Sequence, residues 1–426
     1  MVGIVLFASF AILVLLNIPI GVSLAGAGLL ALIQMDMNFN IFPNIFFAAT
    51  SPFVLLAIPF FILGGNIMER AGISQKLIAF AQSFVGHIRG GLAIVCVGVT
   101  CFFAAISGSG PATVAALGVI IIPAMIKVGY PPATAAALMA TAGGIGVIIP
   151  PSISFVIYGS VTGVSIGKLF IAGIVPGILM GISLILATFF ITRKTKLDKL
   201  PKTTFKERWF AFKDALWGLM MPVIILGGIY GGIFTPTEAA AVAAVYGLFI
   251  GFFIYKSLEL HHLKEIVLTS VTQTAVVMFI VGMANFFGWV ITIEGLAAEI
   301  GDMLLKLAGG NLYLFLAIVN ILLLLAGCVL DGTSALYILS PIILPIATKL
   351  GYDPLVLGVL MVMNLAIGMV TPPVGVNIYV ACGITGLPFK DVVKKIVPFL
   401  LASLIVLAFV TYIPIISQIL PSLMDK

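Results

Sequence analysis

Two long stretches of the chain share one pattern of apolar runs interrupted by glycine and proline. Residues 104–176 align without a gap on residues 326–398 when shifted by 222 positions, the offset between Gly129 and Gly351 (351 − 129). Glycine and proline interrupt regular helices, so the duplicated feature is a set of broken helices. Each copy predicts a helical hairpin followed by a helix broken at Gly-x-x-x-Pro-Pro.

The two predicted hairpins, at about 100–127 and 322–349, have polar tips inside otherwise apolar sequence. The tips are Ser107-Gly-Ser-Gly110 and Asp331-Gly-Thr-Ser334. Each arm is shorter than the roughly 20 residues that a helix needs to cross a bilayer. Re-entrant hairpins, with their tips at membrane depth, therefore fit the pattern better than single crossings.

The broken helices are predicted at about 133–158 and 355–379, one in each half of the chain. The first repeat covers 1–192, a connector covers 193–215, and the second repeat covers 216–426. With five or six crossings per half, an odd number would invert one repeat relative to the other. Interrupted apolar segments at matching places in two halves indicate a transporter's binding site.

Four further patterns predict individual elements. Residues 3–32 form one apolar span, interrupted near Asn17. Residues 206–219 alternate charged with aromatic positions, which favours a helix lying in the interface. Thr235-Pro-Thr-Glu238 predicts a helix start with Glu238 as a cap, and 294–308 predicts an amphipathic helix. The asparagines in apolar spans are expected to hydrogen-bond between helices; these are Asn17, Asn66, Asn285, Asn320 and Asn364.

The composition identifies the solvent of this chain as lipid. Of 426 residues, 62% are hydrophobic and 8% charged, with a mean hydropathy of +1.28. Uninterrupted apolar runs favour helices over a barrel, so the predicted fold class is an all-α polytopic membrane protein. At about 20 residues per span, roughly 10 to 12 crossings fit.

The positive charge is concentrated in the connector, which indicates a membrane orientation rather than nucleic-acid binding. Eight of the 21 basic residues lie there. They are Arg193, Lys194, Lys196, Lys199, Lys202, Lys206, Arg208 and Lys213. A basic loop between apolar spans marks the cytoplasmic side.

The paired prolines predict unpaired backbone carbonyls in both broken helices. A proline has no N–H to bond to the carbonyl four residues earlier. The carbonyls expected to lose their donor are those of Gly146, Val147, Gly368 and Met369. An unpaired carbonyl in hydrocarbon costs several kcal/mol, and a desolvated sodium ion, which takes oxygen ligands, would satisfy it.

The hairpin tips supply more oxygen atoms, and no Lys or Arg falls within either tip or break. A carboxylate would therefore be held by helix N–H groups, hydroxyls and bound cations. An intramembrane acid is functional by default, which singles out Asp331. The candidate substrate-binding residues are Ser109, Ser154, Asp331, Thr333 and Asn377. No metal cluster, nucleophile motif or organic cofactor motif is present, which ranks an enzyme lowest.

Together these motifs resemble the large membrane subunit of the tripartite ATP-independent periplasmic (TRAP) transporters, of the DctM and SiaM type. The resemblance covers the whole chain. Its carriers are Asn17-Ile-Pro-Ile-Gly21, Ala105-Ile-Ser-Gly-Ser-Gly-Pro-Ala-Thr113, Ile149-Pro-Pro-Ser152, Gly232-Ile-Phe-Thr-Pro-Thr-Glu-Ala-Ala240, Asp331-Gly332 and Pro341-Ile-Ile-Leu-Pro345. The run Gly108-Ser-Gly-Pro111 looks closer to the sialic-acid members than to many dicarboxylate members.

The resemblance implies a sodium-driven importer of carboxylated solutes, leaning to sialic acid, in the bacterial inner membrane. It implies an elevator mechanism with scaffold and transport domains, a periplasmic substrate-binding protein, and a separate four-helix small subunit. It implies two or more sodium ions, with substrate contacts near Ser109, Ser154 and Asp331. The implied sodium sites are Ser107, Ser109, Gly146, Ile149 and Pro151, and Gly327, Gly368, Thr371 and Pro373.

Three other functions compete with this interpretation. The first is a TRAP subunit for C4-dicarboxylates, and the second is a stand-alone sodium-coupled dicarboxylate carrier. The third is a channel, although pores usually carry rings of charged or carbonyl groups from several subunits. Uptake by the chain alone would favour the stand-alone carrier, and single-channel currents would favour the pore.

Overall fold

A computed structural model describes residues 2–424, and every regular element among them is helical. The outer limits predicted for the two repeats, residues 1 and 425–426, lie outside the described residues. The first half contains α1 (Val2–Leu15), α2 (Ile20–Gln34), α3 (Ile41–Thr50), α4 (Ala57–Arg70), α5 (Ile73–Val85), α6 (Gly91–Ser107), α7 (Gly110–Lys127), α8 (Pro132–Ile145), α9 (Ile153–Thr162) and α10 (Ile166–Thr192). The second half contains α11 (Phe205–Tyr230), α12 (Pro236–Phe249), α13 (Leu260–Ile293), α14 (Leu296–Ala308), α15 (Leu312–Val329), α16 (Gly332–Lys349), α17 (Pro354–Gly368), α18 (Val376–Thr385), α19 (Phe389–Tyr412) and α20 (Ile415–Met424).

Eight helical segments within residues 2–424 are long and apolar enough to cross a membrane, fewer than the 10 to 12 crossings expected. The difference arises because several apolar stretches are divided into helices of 10 to 17 residues. The divided stretches include both broken helices: α8 is followed by α9, and α17 by α18. The chain is therefore a multi-pass membrane protein in which some membrane depth is covered by paired half-helices.

The break predicted near Asn17 is confirmed, but it divides residues 3–32 into two helices rather than interrupting one span. Asn17 adopts a left-handed conformation (φ 62°) between α1 and α2, which pack against each other as a hairpin. The amide of Asn17 bonds back to the carbonyl of Val14, closing the turn. Asparagine tolerates this conformation better than most residues, so Asn17 acts as a turn residue rather than as an interhelical donor.

The end of the connector also differs from its prediction. Instead of a separate interfacial helix, residues 206–219 form the first half of α11, which runs unbroken to Tyr230. A capping box starts this helix: the amide of Glu207 donates to Thr204 Oγ1 at 3.3 Å, and the Thr204 amide to the Glu207 carboxylate at 2.6 Å. A strong local start signal thus lets one helix carry both the charged and the apolar segment.

Other local predictions are confirmed. Glu238 caps α12 in a capping box with Thr235, and the amphipathic helix over 294–308 is α14. The Asn66 side chain of α4 donates to Ser270 and Gln273 of α13. Asn364 of α17 donates to Asn320 of α15, which in turn donates to Thr411 of α19.

The two broken helices lie at the centre of the molecule. Residues 134–145 of α8 and 356–368 of α17 are buried on every face, and α10 and α19 pack across both. We call α6–α10 with α15–α20 the central group. We call α1–α5 with α11–α14 the outer group, which meets the central group mainly through α4, α5, α13 and α14.

Candidate functional site

The first hairpin tip lies against the first helix break. At the tip, Gly108 has a left-handed backbone (φ 61°), and a Cβ there would lie 3.1 Å from the Pro151 carbonyl oxygen. Only glycine adopts this conformation readily and leaves room for such an approach. The tip and the break therefore form one unit, which we call site 1.

Site 1 concentrates oxygen atoms around Gly146. A Cβ on Gly146 would lie 2.9 Å from both Thr113 Oγ1 and the Gly143 carbonyl oxygen, and 3.3 Å from the Ser109 carbonyl oxygen. The Ser109 carbonyl accepts the Thr113 hydroxyl at 2.7 Å and the Ser107 hydroxyl at 3.3 Å. Oxygen-rich, buried surroundings of this kind suit a hard cation.

Helix α15, the first arm of the second hairpin, approaches the second break even more closely. We call this region site 2. A Cβ on Gly368 would lie 2.6 Å from the Cα of Gly327, so neither α17 nor α15 has room for a side chain there. The Thr371 hydroxyl donates to the Ile367 carbonyl at 2.8 Å. Backbone groups of two helices consequently face each other without intervening side chains.

The prediction of four unpaired carbonyls is wrong for three of them. The Ser152 hydroxyl donates to the Val147 carbonyl at 2.5 Å. In the second half the Thr371 amide donates to Gly368 at 2.9 Å, and the Asn377 amide to Met369 at 3.1 Å. Ser152 and Asn377 follow the Pro-Pro pairs, where the chain turns back, whereas Thr371 precedes its pair and bonds to the third residue before it.

The Gly146 carbonyl is the exception, because no group in residues 2–424 donates to it. Carbonyl oxygens carry two lone pairs, so the three bonded carbonyls keep one acceptor position each, whereas Gly146 keeps both. Both Pro-Pro bonds, 150–151 and 372–373, are cis.

The two sites differ in exposure. Residues 146–152 at the first break are all buried, whereas Pro372, Pro373 and Val374 at the second are exposed. Ile149 and Pro151 thus lie inside the protein, and Pro373 lies at its surface. Duplicated sequence therefore forms two sites with different surroundings.

The helix that follows each break packs against the hairpin of the other half. Helix α9, which follows the first break, packs against α16, and α18, which follows the second, packs against α7 and α8. A Cβ on Gly332 would lie 3.9 Å from Ser154 Oγ, and one on Gly110 would lie 3.2 Å from Asn377 Nδ2. Predicted residues from both halves thus meet in one region.

Met369 joins the two tips, and sequence reasoning missed its position. Its Sδ lies 3.2 Å from the Cβ position of Gly110, and its Cε lies 3.7 Å from that of Gly332. Its place in the second break was visible in the sequence, but nothing there indicated contact with the first tip.

Asp331 caps α16. Its carboxylate accepts the amides of Thr333 at 2.9 Å and Ser334 at 3.1 Å, and the Ser334 hydroxyl at 2.5 Å. An N-cap carboxylate stabilises the start of a helix through both hydrogen bonds and the helix dipole. Both Asp331 and Thr333 therefore take part in the local structure of the second tip.

A cavity of about 540 Å³ separates the first tip from α4 and α13 at the boundary between the two groups. Its polar lining consists of Asn66, Glu69, Ser107, Ser109, Thr272 and Gln273. Of the predicted substrate-binding residues only Ser109 is part of this lining. The sequence predicted Asn66 only as an interhelical donor and did not single out residues 69, 272 and 273, because these positions lie on two spans that only the fold brings together.

A second cavity, of about 420 Å³, continues from the first and shares Asn66 and Glu69 with it. It reaches Arg70, whose guanidinium lies 3.6 Å from the Glu265 carboxylate. The two cavities form a cleft along α7, running from the first tip toward the ends of α4 and α5.

Comparison with known proteins identifies the family. The family model for the "Tripartite ATP-independent periplasmic transporter, DctM component" matches residues 7–416. The C4-dicarboxylate TRAP transporter large permease protein DctM of Pseudomonas aeruginosa is 46% identical over 376 residues, covering 88% of each chain. The sialic acid TRAP transporter large permease protein SiaM of Vibrio cholerae is 38% identical over 408 residues, covering 96% of this chain and 95% of the relative.

A relative with a longer chain is similar as well. The isethionate TRAP transporter permease protein DctMQ of Oleidesulfovibrio alaskensis is 43% identical over 418 residues, covering 97% of this chain and 65% of the relative. Among solved structures, the Alcanivorax borkumensis YdaH transporter matches with a TM-score of 0.59 at 16% identity, covering 88% of this chain and 87% of that one. That likeness concerns the fold alone.

These relatives are transporter permeases rather than enzymes. The family model spans nearly all of the chain, including both hairpins and both breaks. This chain belongs to the DctM component family of the tripartite ATP-independent periplasmic transporters.

Proposed function

We propose that this chain is the large permease of a sodium-driven TRAP transporter that imports a C4-dicarboxylate across the bacterial inner membrane. The observation that carries the proposal is site 1: a buried break at Gly146, whose carbonyl has no donor among the described residues and whose Cβ position lies 2.9 Å from Thr113 Oγ1 and 3.3 Å from the Ser109 carbonyl oxygen. A bound sodium ion would satisfy that carbonyl and would attract the substrate's carboxylate.

We propose a dicarboxylate rather than the sialic acid that the tip motif favours, because sequence identity is higher to the dicarboxylate permease than to the sialic acid permease. The Pseudomonas aeruginosa C4-dicarboxylate permease is 46% identical, whereas the Vibrio cholerae sialic acid permease is 38% identical. A four-residue tip run is weaker support than identity over most of the chain.

The cavity chemistry agrees with an anionic substrate that needs bound cations. Its lining contains no Lys or Arg and includes Glu69. The N-terminus of α7 begins at the tip, after Ser109, and helix N-termini favour anions. Because the basic residue of the cleft, Arg70, lies in the second cavity and faces Glu265, a dianion beside the first tip requires the positive charge of sodium at the neighbouring sites.

The second part of the proposal is an elevator motion of the central group against the outer group, the two repeats being inverted. The cavity lies at the boundary of these groups, where sliding would carry it between the membrane faces. The partners are a small four-helix membrane subunit and a periplasmic substrate-binding protein. The name of the longer relative, DctMQ, supports a partner subunit of this kind.

The test is uptake into proteoliposomes that contain this chain and both partners. We expect succinate uptake under an inward sodium gradient, little uptake when choline replaces sodium, and no sialic acid uptake. Succinate uptake that is indifferent to sodium would refute the coupling, and sialic acid uptake in its place would refute the substrate. Uptake by the chain alone would favour a stand-alone carrier.

A further inference from the structure

Asn377 connects the two helix breaks through different parts of the same residue. Its backbone amide donates to the Met369 carbonyl at 3.1 Å, which closes the second break. Its side-chain Nδ2 donates to the Ala140 carbonyl at 3.1 Å, on the helix that leads into the first break. One residue of the second half thus bonds to the second break and to the helix that leads into the first.

The side chain of Asn377 is fully enclosed. It is 0% exposed, and its Oδ1 has no hydrogen-bond partner among the described residues. A buried amide oxygen without a partner destabilises the fold relative to an apolar side chain of the same shape. Stability alone therefore does not account for asparagine at this position.

The surroundings of Asn377 leave room for this side chain and little else. A Cβ on Gly110 would lie 3.2 Å from Asn377 Nδ2, and one on Gly143 would lie 3.4 Å from it. Gly110 begins α7 at the first tip, and Gly143 is the residue whose carbonyl approaches Gly146. A shift of α18 would consequently displace both the first tip and helix α8, which leads into the first break.

We infer that Asn377 is a positioning residue that transmits cation occupancy between sites 1 and 2, which makes sodium binding cooperative. An ion at site 2 orders the turn that ends at the Asn377 amide. The ordered α18 then holds the Ala140 carbonyl and the tip in the arrangement that site 1 needs. This inference rests on the proposed sodium coupling and assigns Asn377 to communication rather than to substrate contact.

The experiment measures uptake against sodium concentration in the complete reconstituted transporter, with N377L and N377S as variants. Leucine keeps the approximate shape without polar atoms, and serine keeps polarity but is too short for the bond to Ala140. We expect a Hill coefficient of about 2 in the wild type, the limit set by two sites. In both variants it falls toward 1 and half-maximal uptake needs more sodium.

Thr188→Val is the matched control. Thr188 is a buried polar residue of α10 whose hydroxyl donates within its own helix, to the Leu184 carbonyl at 2.7 Å. We expect this variant to keep the wild-type Hill coefficient. Melting temperatures of all the purified variants show whether they fold.

The outcomes separate this inference from the proposed function. A sodium-independent wild type would refute the proposed coupling itself. A cooperative wild type with equally cooperative Asn377 variants would refute only the role of Asn377. Failure of both variants to fold would also refute it, since Asn377 would then be a structural residue.

Discussion

At the scale of single residues, the carbonyl of Gly146 distinguishes the two breaks. It is the one freed carbonyl that gains no donor among the described residues. The proline spacing identifies all four candidates, because the loss of an N–H depends only on sequence position. The replacement donors Ser152 and Asn377 could not be predicted, because they depend on how the chain turns back after the break.

Adding one methyl group at Gly146 tests the cation site. The new Cβ would lie 2.9 Å from two oxygens, so Gly146→Ala should displace them and weaken sodium binding. We expect half-maximal uptake to need about tenfold more sodium, equivalent to about 1.4 kcal/mol. Gly98→Ala in α6 is the control, since a Cβ there meets nothing within 4 Å. An unchanged sodium requirement in Gly146→Ala would argue against site 1.

Asp331 offers a test that separates capping from charge. Asp331→Ala removes the N-cap of α16, which we expect to cost about 1 kcal/mol and to lower uptake strongly while expression continues. Asp331→Asn preserves the cap, because asparagine is an equally good N-cap, and should retain most of the uptake. Equal loss in both variants would show that transport requires the negative charge.

At the scale of elements, the helix starts follow from local chemistry. Thr-x-x-Glu sequences precede both α11 and α12, and both form capping boxes. A local signal of this kind made the start of α12 predictable, whereas α14 was predictable from its amphipathic pattern. The cavity was not predictable, because Asn66 and Gln273 lie 207 positions apart and meet only after the spans pack.

The capping box of α12 should contribute measurably to stability. Thr235→Ala removes the hydroxyl that accepts the Glu238 amide at 3.3 Å, and we expect a loss of about 1 kcal/mol. Thermal unfolding of the purified protein measures this loss. Thr348→Ala serves for comparison, because Thr348 is exposed and bonds within its own helix; a similar loss there would contradict the capping explanation.

At the scale of the whole molecule, the boundary between the central and outer groups is where motion is proposed. Gly65 of α4 faces the end of α6: its Cβ position lies 3.2 Å from the Ile106 carbonyl oxygen. The duplicated hairpins and breaks were predictable from glycine and proline alone. The division into two groups was not, since it depends on which apolar faces pack together.

Cross-linking across this boundary tests the elevator motion. The G65C/I106C pair, oxidised in a chain lacking its native cysteines, should abolish uptake, and reduction should restore it. The control is G181C paired with native Cys101, since both lie in the central group and the new Cβ would be 3.3 Å from Cys101 Sγ. Oxidising the control should leave uptake intact. The G65C/I106C chain has all four native cysteines replaced. The control chain keeps Cys101 and has Cys96, Cys328 and Cys382 replaced.

Rapid uptake by the oxidised G65C/I106C protein would show that α4 and α6 need not separate. In that case the substrate would have to cross by a local rearrangement of the tips.

The contacts between helices of the two halves restrict which substitutions each tip can accept. Because α18 packs on α7 and α9 on α16, a new side chain at Gly110 meets Asn377, 267 positions away (377 − 110), and one at Gly332 meets Ser154, 178 positions away (332 − 154). Substitutions at Gly110 or Gly332 should therefore persist in descendants only alongside compensating changes in the opposite repeat. Under this arrangement neither tip is free to change its side chains independently of the other half.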